Sequence, residues 1–138
     1  AAARTRGGRL LESPMARPEF TTSVVVRHLP EQSDRDKGQY AFAYTITIRN
    51  SGDITAQLIA RHWIVSDASG HVEEVRGLAV VGHQPILKPG ESFEYTSWTR
   101  IATPNGTMRG TFLCMTEDAH PFEAPIGEFG LTLASALH

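Results

Sequence analysis

Tyr40-Ala-Phe-Ala-Tyr-Thr-Ile-Thr-Ile48 is the stretch that decides the fold. Tyr40, Phe42, Tyr44, Ile46 and Ile48 alternate with small or polar residues. Successive side chains of a strand point to opposite faces, so a period of two places the large set on one side of a sheet. The spacing predicts a strand with one buried face. Asn50-Ser-Gly-Asp53 closes it, with Gly52 available for a tight turn.

Working outward, every neighbouring segment reads the same way. Thr21 to His28 is short and rich in β-branched residues, the composition of a first strand. Pro30 to Gly38 is polar and charged, a loop. Leu58 to Val65 is apolar enough for a buried strand, and Asp67-Ala-Ser-Gly70 supplies a turn from which His71 to Arg76 returns antiparallel. Pro85 and Pro89 bracket Ile86-Leu-Lys88. Pro89-Gly90 and Pro104-Asn-Gly106 are turn pairs on either side of a strand from Glu91 to Ser97, with Phe93 and Tyr95 on one side. Thr107 to Met115 and Phe122 to Leu133 complete the set. No window of a dozen residues carries a 3.6-residue period. Seven to nine short strands with turns between them predict an all-β antiparallel sandwich, favoured over a barrel because several strands keep a polar face.

Composition agrees and narrows the function classes. The chain has 138 residues, the size of one domain, and can bury roughly two-thirds of its unfolded surface without a metal or disulfide staple. Hydrophobic residues make up 41% and charged residues 20%, which is globular. No apolar run approaches the ~20 residues of a membrane-spanning helix. A single cysteine, Cys114, excludes an internal disulfide and a cysteine-based zinc ribbon. Net charge is −2, against a broadly basic nucleic-acid binder. Residues 1–17 carry Arg4, Arg6, Arg9 and Arg17 against Glu12, which is +3, leaving −5 for residues 18–138. The reading is a basic, disordered leader over residues 1–17, with Met15 as an internal start, and one β-sandwich domain over 18–138. DNA or RNA binding through the leader is the least favoured function.

The middle of the chain carries a resemblance. Arg61-His-Trp63, Val75-Arg-Gly77, Val80-Val-Gly82, Gln84-Pro85 and Leu87-Lys-Pro-Gly-Glu-Ser-Phe-Glu-Tyr-Thr-Ser97 resemble the signature of the ApaG family. Thr107-Met-Arg-Gly110 and Phe122-Glu-Ala-Pro-Ile126 extend it, and the resemblance spans Phe20 to His138. It implies an immunoglobulin/fibronectin-III-like sandwich, a cytoplasmic location and an association with cobalt resistance and magnesium handling. It supplies no catalytic residues. A chain without a membrane span is not itself an ion channel.

Many ApaG proteins carry Gly-x-Gly-x-x-Gly where this chain reads Gly77-Leu-Ala-Val-Val-Gly82. The phosphate-binding use of that fingerprint needs a helix N-terminus after the loop. Pro85 and Pro89 deny that helix, and Ala79 replaces the middle glycine. The architectural reading is that Gly77 and Gly82 permit bends. The ligand reading keeps Arg76, Gly77, Gly82 and Lys88 as an anion or nucleotide site built on backbone amides and two cations.

The six histidines fall at no metal-pair spacing, and Glu117, Asp118 and His120 form the best acidic neighbourhood. The expectation is no dedicated cofactor, with at most a weak surface site for Mg²⁺ or Co²⁺. Cys114 sits in an apolar strand and reads as a buried, inert thiol. Glu73 and Glu74 are adjacent on a strand and so face opposite ways; Arg61 or Arg76 is the expected partner of one of them. Trp63 reads as core. Trp98, with Arg100 beside it, reads as exposed and fit to anchor a partner. Two functions follow. The favoured one is a non-enzymatic protein-binding module, accompanied by a homodimer through the same surface. The alternative is a nucleotide or polyphosphate binder acting with a divalent metal through residues 77–82.

Overall fold

The computed structural model describes residues 16–133. The basic leader and His138 therefore lie outside the described residues, apart from Ala16 and Arg17.

Eight strands run in chain order: β1 (Phe20–His28), β2 (Tyr40–Asn50), β3 (Ala56–Asp67), β4 (Val72–Leu78), β5 (Ile86–Leu87), β6 (Ser92–Ile101), β7 (Gly106–Thr116) and β8 (Pro121–Leu131). Two one-turn 3-10 helices, Pro30–Gln32 and Arg35–Lys37, occupy the polar loop between β1 and β2. All strand pairs are antiparallel. One sheet has the order β1-β2-β6; the other has β4-β3-β7-β8, with β5 also paired to β3. The two sheets form an all-β sandwich, as the alternation in β2 predicts. Among the described residues no helix is long and apolar enough to cross a membrane.

The deciding stretch behaves as read. Phe42, Tyr44, Ile46 and Ile48 are buried against Trp63, Val65, Phe112 and Cys114 of the opposite sheet. Trp63 is the hub, in edge-to-face contact with Tyr44, Phe112 and Phe129. Ala41 and Ala43 point the other way, where Leu29 covers them in a small second cluster. Buried Asn50 ends β2: its amide donates to the carbonyls of Ile54 and Leu87 at 2.9 and 2.8 Å, and its oxygen accepts from Gly52 N–H at 3.0 Å. One side chain thereby ties the end of β2 to the turn after it and to β5.

Two β-bulges set which residues face inward. In β3 the register against β7 slips between Leu58 and Ala60. Before the slip Ala56 and Leu58 are buried; after it Trp63 and Val65 are. An extra residue exchanges the two faces of a strand, so even positions point inward first and odd ones afterwards. In β8 the slip opposite Met108–Gly110 does the same, passing the inward role from Ala124 and Ile126 to Phe129 and Leu131. The β3 bulge puts Arg61 on the inner face and His62 on the outer one.

Candidate functional site

The β4–β5 connection holds the glycine segment, and its geometry starts from Arg61. Arg61 pairs with Gly77 across β3 and β4. A Cβ on Gly77 would stand 2.8 Å from the Arg61 guanidinium, so any side chain there would have to displace it. From there the guanidinium donates to the carbonyls of Leu78 and Ala79, both at 2.9 Å. Ala79 sits at φ 68, in the left-handed region, and begins a sharp departure from β4. Val80 is then fully buried. Val81 and Gly82, at φ 49 and 81, make a two-residue turn closed by reciprocal Val80–His83 backbone bonds of 2.8 and 2.9 Å. Positive φ at both central positions is the type I′ pattern that favours glycine and asparagine. Each glycine position of the segment thus has a backbone cause: space for Arg61 at 77, left-handed φ at 79 and 82.

Arg76 and Lys88 do not converge on this segment. Arg76 lies opposite His62, whereas Lys88 follows Leu87, which lies opposite Ala56. At ~3.3 Å per residue that is about 20 Å along the sheet. Arg76 is already engaged, donating to Glu74 at 3.2 Å, and Lys88 contributes a backbone N–H to the Glu91 carboxylate at 2.8 Å. The carboxylate partner of Arg76 is on its own strand, and Arg61 takes carbonyls instead. His62 completes the group at 2.7 Å from Glu74. The His62 hydrogen bond, then Arg76, holds the Glu74 carboxyl below the usual carboxylate range.

This charged group rims a groove of about 520 Å³ on the outer face of the five-stranded sheet. Ala60, Leu78 and Leu113 form its apolar part, with Thr111 and Glu123 beyond. Leu78 is 73% exposed. Sequence reading missed this groove, because it exists only once the β3 bulge brings Ala60 beside Leu78 and Leu113.

The second surface is the outer face of β6. Trp98 is 55% exposed, and the Arg100 guanidinium lies 5.3 Å from its ring centroid, a cation–π pair. Opposite Trp98 on β2 is Ala43, and Leu29, Glu31 and Gln32 line a small pocket beside the indole.

Potential chemistry elsewhere is thin. His62 and His71 do not meet: His62 binds Glu74, and His71 lies 3.8 Å from Glu73 at the hairpin turn. Asp118 accepts from Thr116 and lies 3.2 Å from His120, which fixes the β7–β8 turn. Among the described residues no three His, Cys, Asp or Glu side chains gather in a metal-binding group. Cys114 is fully buried, and burial pushes its thiol up to about 12. Such a thiol is almost wholly protonated at neutral pH and is a poor nucleophile.

The family model described as the ApaG domain matches residues 30–116, from the first 3-10 helix through β7. The chain belongs to the ApaG family. It is 61% identical over 124 residues to Protein ApaG of Ralstonia nicotianae, covering 90% of this chain and 100% of that protein. Protein ApaG of Acidovorax is 56% identical over 119 residues, covering 85% and 87%. A crystal structure of an ApaA protein from Bordetella pertussis superposes with a TM-score of 0.83 at 54% identity, covering 88% of this chain and 98% of that one. The ApaG domain is therefore the whole β2–β7 core described above, with β1 and β8 completing its two sheets.

Proposed function

We propose that this chain is a non-enzymatic protein-binding module that engages its partner through β6. The observation that carries this reading is Trp98. A large aromatic standing 55% exposed on a rigid strand, braced by Arg100 and flanked by small residues, has the make-up of an interface anchor. Its orientation is set by the sheet, so little ordering is lost on binding. The link of the ApaG family to cobalt and magnesium is the physiological setting of this reading: a module that docks on another protein influences ion handling without conducting ions.

The test is site-specific photo-cross-linking in the native host. A photoreactive residue replaces Trp98 in one strain and Thr21, at the far end of β1, in another. A discrete adduct from position 98 and not from position 21 is expected. Absence of any adduct from position 98, with the protein folded and expressed, would remove the reading.

The nucleotide alternative rests on Arg76, Gly77, Gly82 and Lys88 and has no comparable support, since each glycine position has a backbone cause and the two cations stand apart. Amide-resolved titration with ATP and Mg²⁺ or Co²⁺ decides it; saturable shifts over residues 76–88 would restore it.

A further inference from the structure

The side of the sandwich between β4 and β6 differs from the side between β1 and β8. Phe20 of β1 packs edge-to-face on Phe122 of β8 at 5.3 Å, which closes that side. β8 also carries Pro121 and Pro125 and a bulge, devices that blunt an edge. β6 has no proline and no bulge, and beyond its start, where the His83 ring packs on Phe93 at 5.6 Å, no such contact covers it among the described residues. Leu29 N–H donates to Ala41 O, so the odd residues of β2 bond β1 and the even ones bond β6. Their β6 partners are the odd residues from Phe93 to Ile101. The backbone N–H and C=O of Glu94, Thr96, Trp98 and Arg100 therefore face out of the sheet.

Above this edge β4 overhangs. Val75 shares the inner face with Trp63, its partner in the ladder. Yet Trp63 is 2% exposed and Val75 41%, because the three-stranded sheet ends at β6 and leaves β4 uncovered. Two positions along, the same uncovered face presents Gly77 with the Arg61 guanidinium on it. Arg61 spends one nitrogen on two carbonyls, and among the described residues no carboxylate pairs with it. The tyrosine facing it from β6, Tyr95, has a buried hydroxyl without a partner among the described residues; burial, then Tyr44, pushes its ionisation up, and the nearby Arg61 charge opposes that.

Resting on the protein-binding reading above, we propose that β6 accepts one extended segment of the partner as a fourth strand of the small sheet, and that this segment carries an aspartate or glutamate whose carboxylate meets Arg61. The added strand would bond the outward groups of Glu94 to Arg100. Its inward side chains alternate, so an apolar residue covers Val75 and an acidic one, two positions away, faces the guanidinium. An acid there supplies the charge that the ledge lacks. A single strand fits beneath β4 where a second whole sandwich would bring its own larger sheet into the same space.

The experiment is panning of a displayed random dodecapeptide library against the purified chain, followed by binding measurements with the enriched peptides. Enrichment of alternating β-branched sequences with one acidic residue at a fixed position is expected. Thr96→Pro removes an outward N–H and the Thr45–Thr96 hydroxyl bond of 2.8 Å but no backbone bond of the β2 ladder, and it should weaken these peptides at least ~10-fold where Thr96→Val does not. Arg61→Gln should weaken the acidic peptide about 10-fold and its Glu-to-Gln counterpart hardly at all, a coupling that a general loosening of the fold would not produce. Amides of Glu94, Thr96, Trp98 and Arg100 should gain exchange protection. Lack of enrichment, enrichment without an acidic position, or binding that survives Thr96→Pro would each overturn the proposal. So would concentration-dependent protection of these amides without peptide, which would make a second copy the occupant. A cross-link from position 98 that persists alongside any of these failures leaves the protein-binding reading standing.

Discussion

The guanidinium of Arg61 occupies the space that a side chain at Gly77 would need, 2.8 Å from the absent Cβ. The contact lets an arginine on one strand hold the next strand's exit, through the carbonyls of Leu78 and Ala79. Gly77→Val should therefore expel the guanidinium and release those carbonyls. The guanidinium ends a flexible side chain and can swing aside, so the cost is mainly the two lost hydrogen bonds, about 1–2 kcal/mol. Urea unfolding would measure it. A loss under ~0.5 kcal/mol would show that Arg61 has another resting place.

Val81 at φ 49 is a β-branched residue in a left-handed turn position, exposed and making no core contact. Val81→Asn gives the turn the Asn-Gly pair that type I′ geometry favours. The gain should be about 1 kcal/mol, read as a rise in the thermal midpoint. Ala79→Gly relieves the other left-handed non-glycine position of this segment, at φ 68, by a smaller amount because glycine also loosens the unfolded chain.

Asn50 is the most buried polar residue among the described residues and satisfies three hydrogen bonds. Asn50→Leu leaves the carbonyls of Ile54 and Leu87 and the Gly52 N–H without it. The cost should be about 3 kcal/mol or more, and amide exchange should quicken first at β5 and the Gly52 turn. Slowed or unchanged exchange there would contradict the role assigned to this side chain.

Glu74 is held below the ordinary carboxylate range by His62 and then Arg76. Its folded form binds a proton less readily than its unfolded form, so the stabilising contribution is present above the unfolded value and lost as pH falls through the folded one. Both groups are exposed, so the effect on global stability is small. Carboxyl NMR should show Glu74 titrating below the ordinary carboxylate range. His62→Ala should raise it toward that range; an unmoved titration would remove His62 as the main cause.

Trp63 and Trp98 report different environments. Trp98→Phe should leave a blue-shifted emission poorly quenched by acrylamide, since only the buried Trp63 remains. Stability should change by no more than ~0.5 kcal/mol, as for most exposed substitutions. A red-shifted residual emission would mean that the core around Trp63 is open to water.

Much of this architecture is legible in the sequence because alternation is local. Tyr40 to Ile48 specifies its own buried face, and turn pairs such as Pro89-Gly90 and Pro104-Asn-Gly106 mark strand ends without reference to anything distant. Trp98 and Cys114 could also be placed, since each takes its exposure from the alternation of its own strand. The candidate surfaces were harder. That Arg61 would lie inside and His62 outside depends on a bulge at Leu58–Ala60, and nothing in the apolar run from Leu58 to Val65 marks the slip. The outer groove needs four strands in register. The ledge over β6 needs to be known from the strand count of both sheets. Only the fate of Gly77 left a local trace, a glycine within a charged strand, and its cause is an arginine sixteen residues earlier.

The bulge at Leu58–Ala60 makes β3 a message read in two frames. Residues before it are sorted into core and surface by one parity and residues after it by the other. Deleting the single codon for Ile59 would not merely shorten the strand. It would merge the frames, sending outward either Ala56 and Leu58 or else Trp63 and Val65, and in the second case turning Arg61 away from Gly77. Homologous genes should accordingly vary in length at the loops and keep this span of β3 free of single-residue insertions and deletions, even where its amino acids differ.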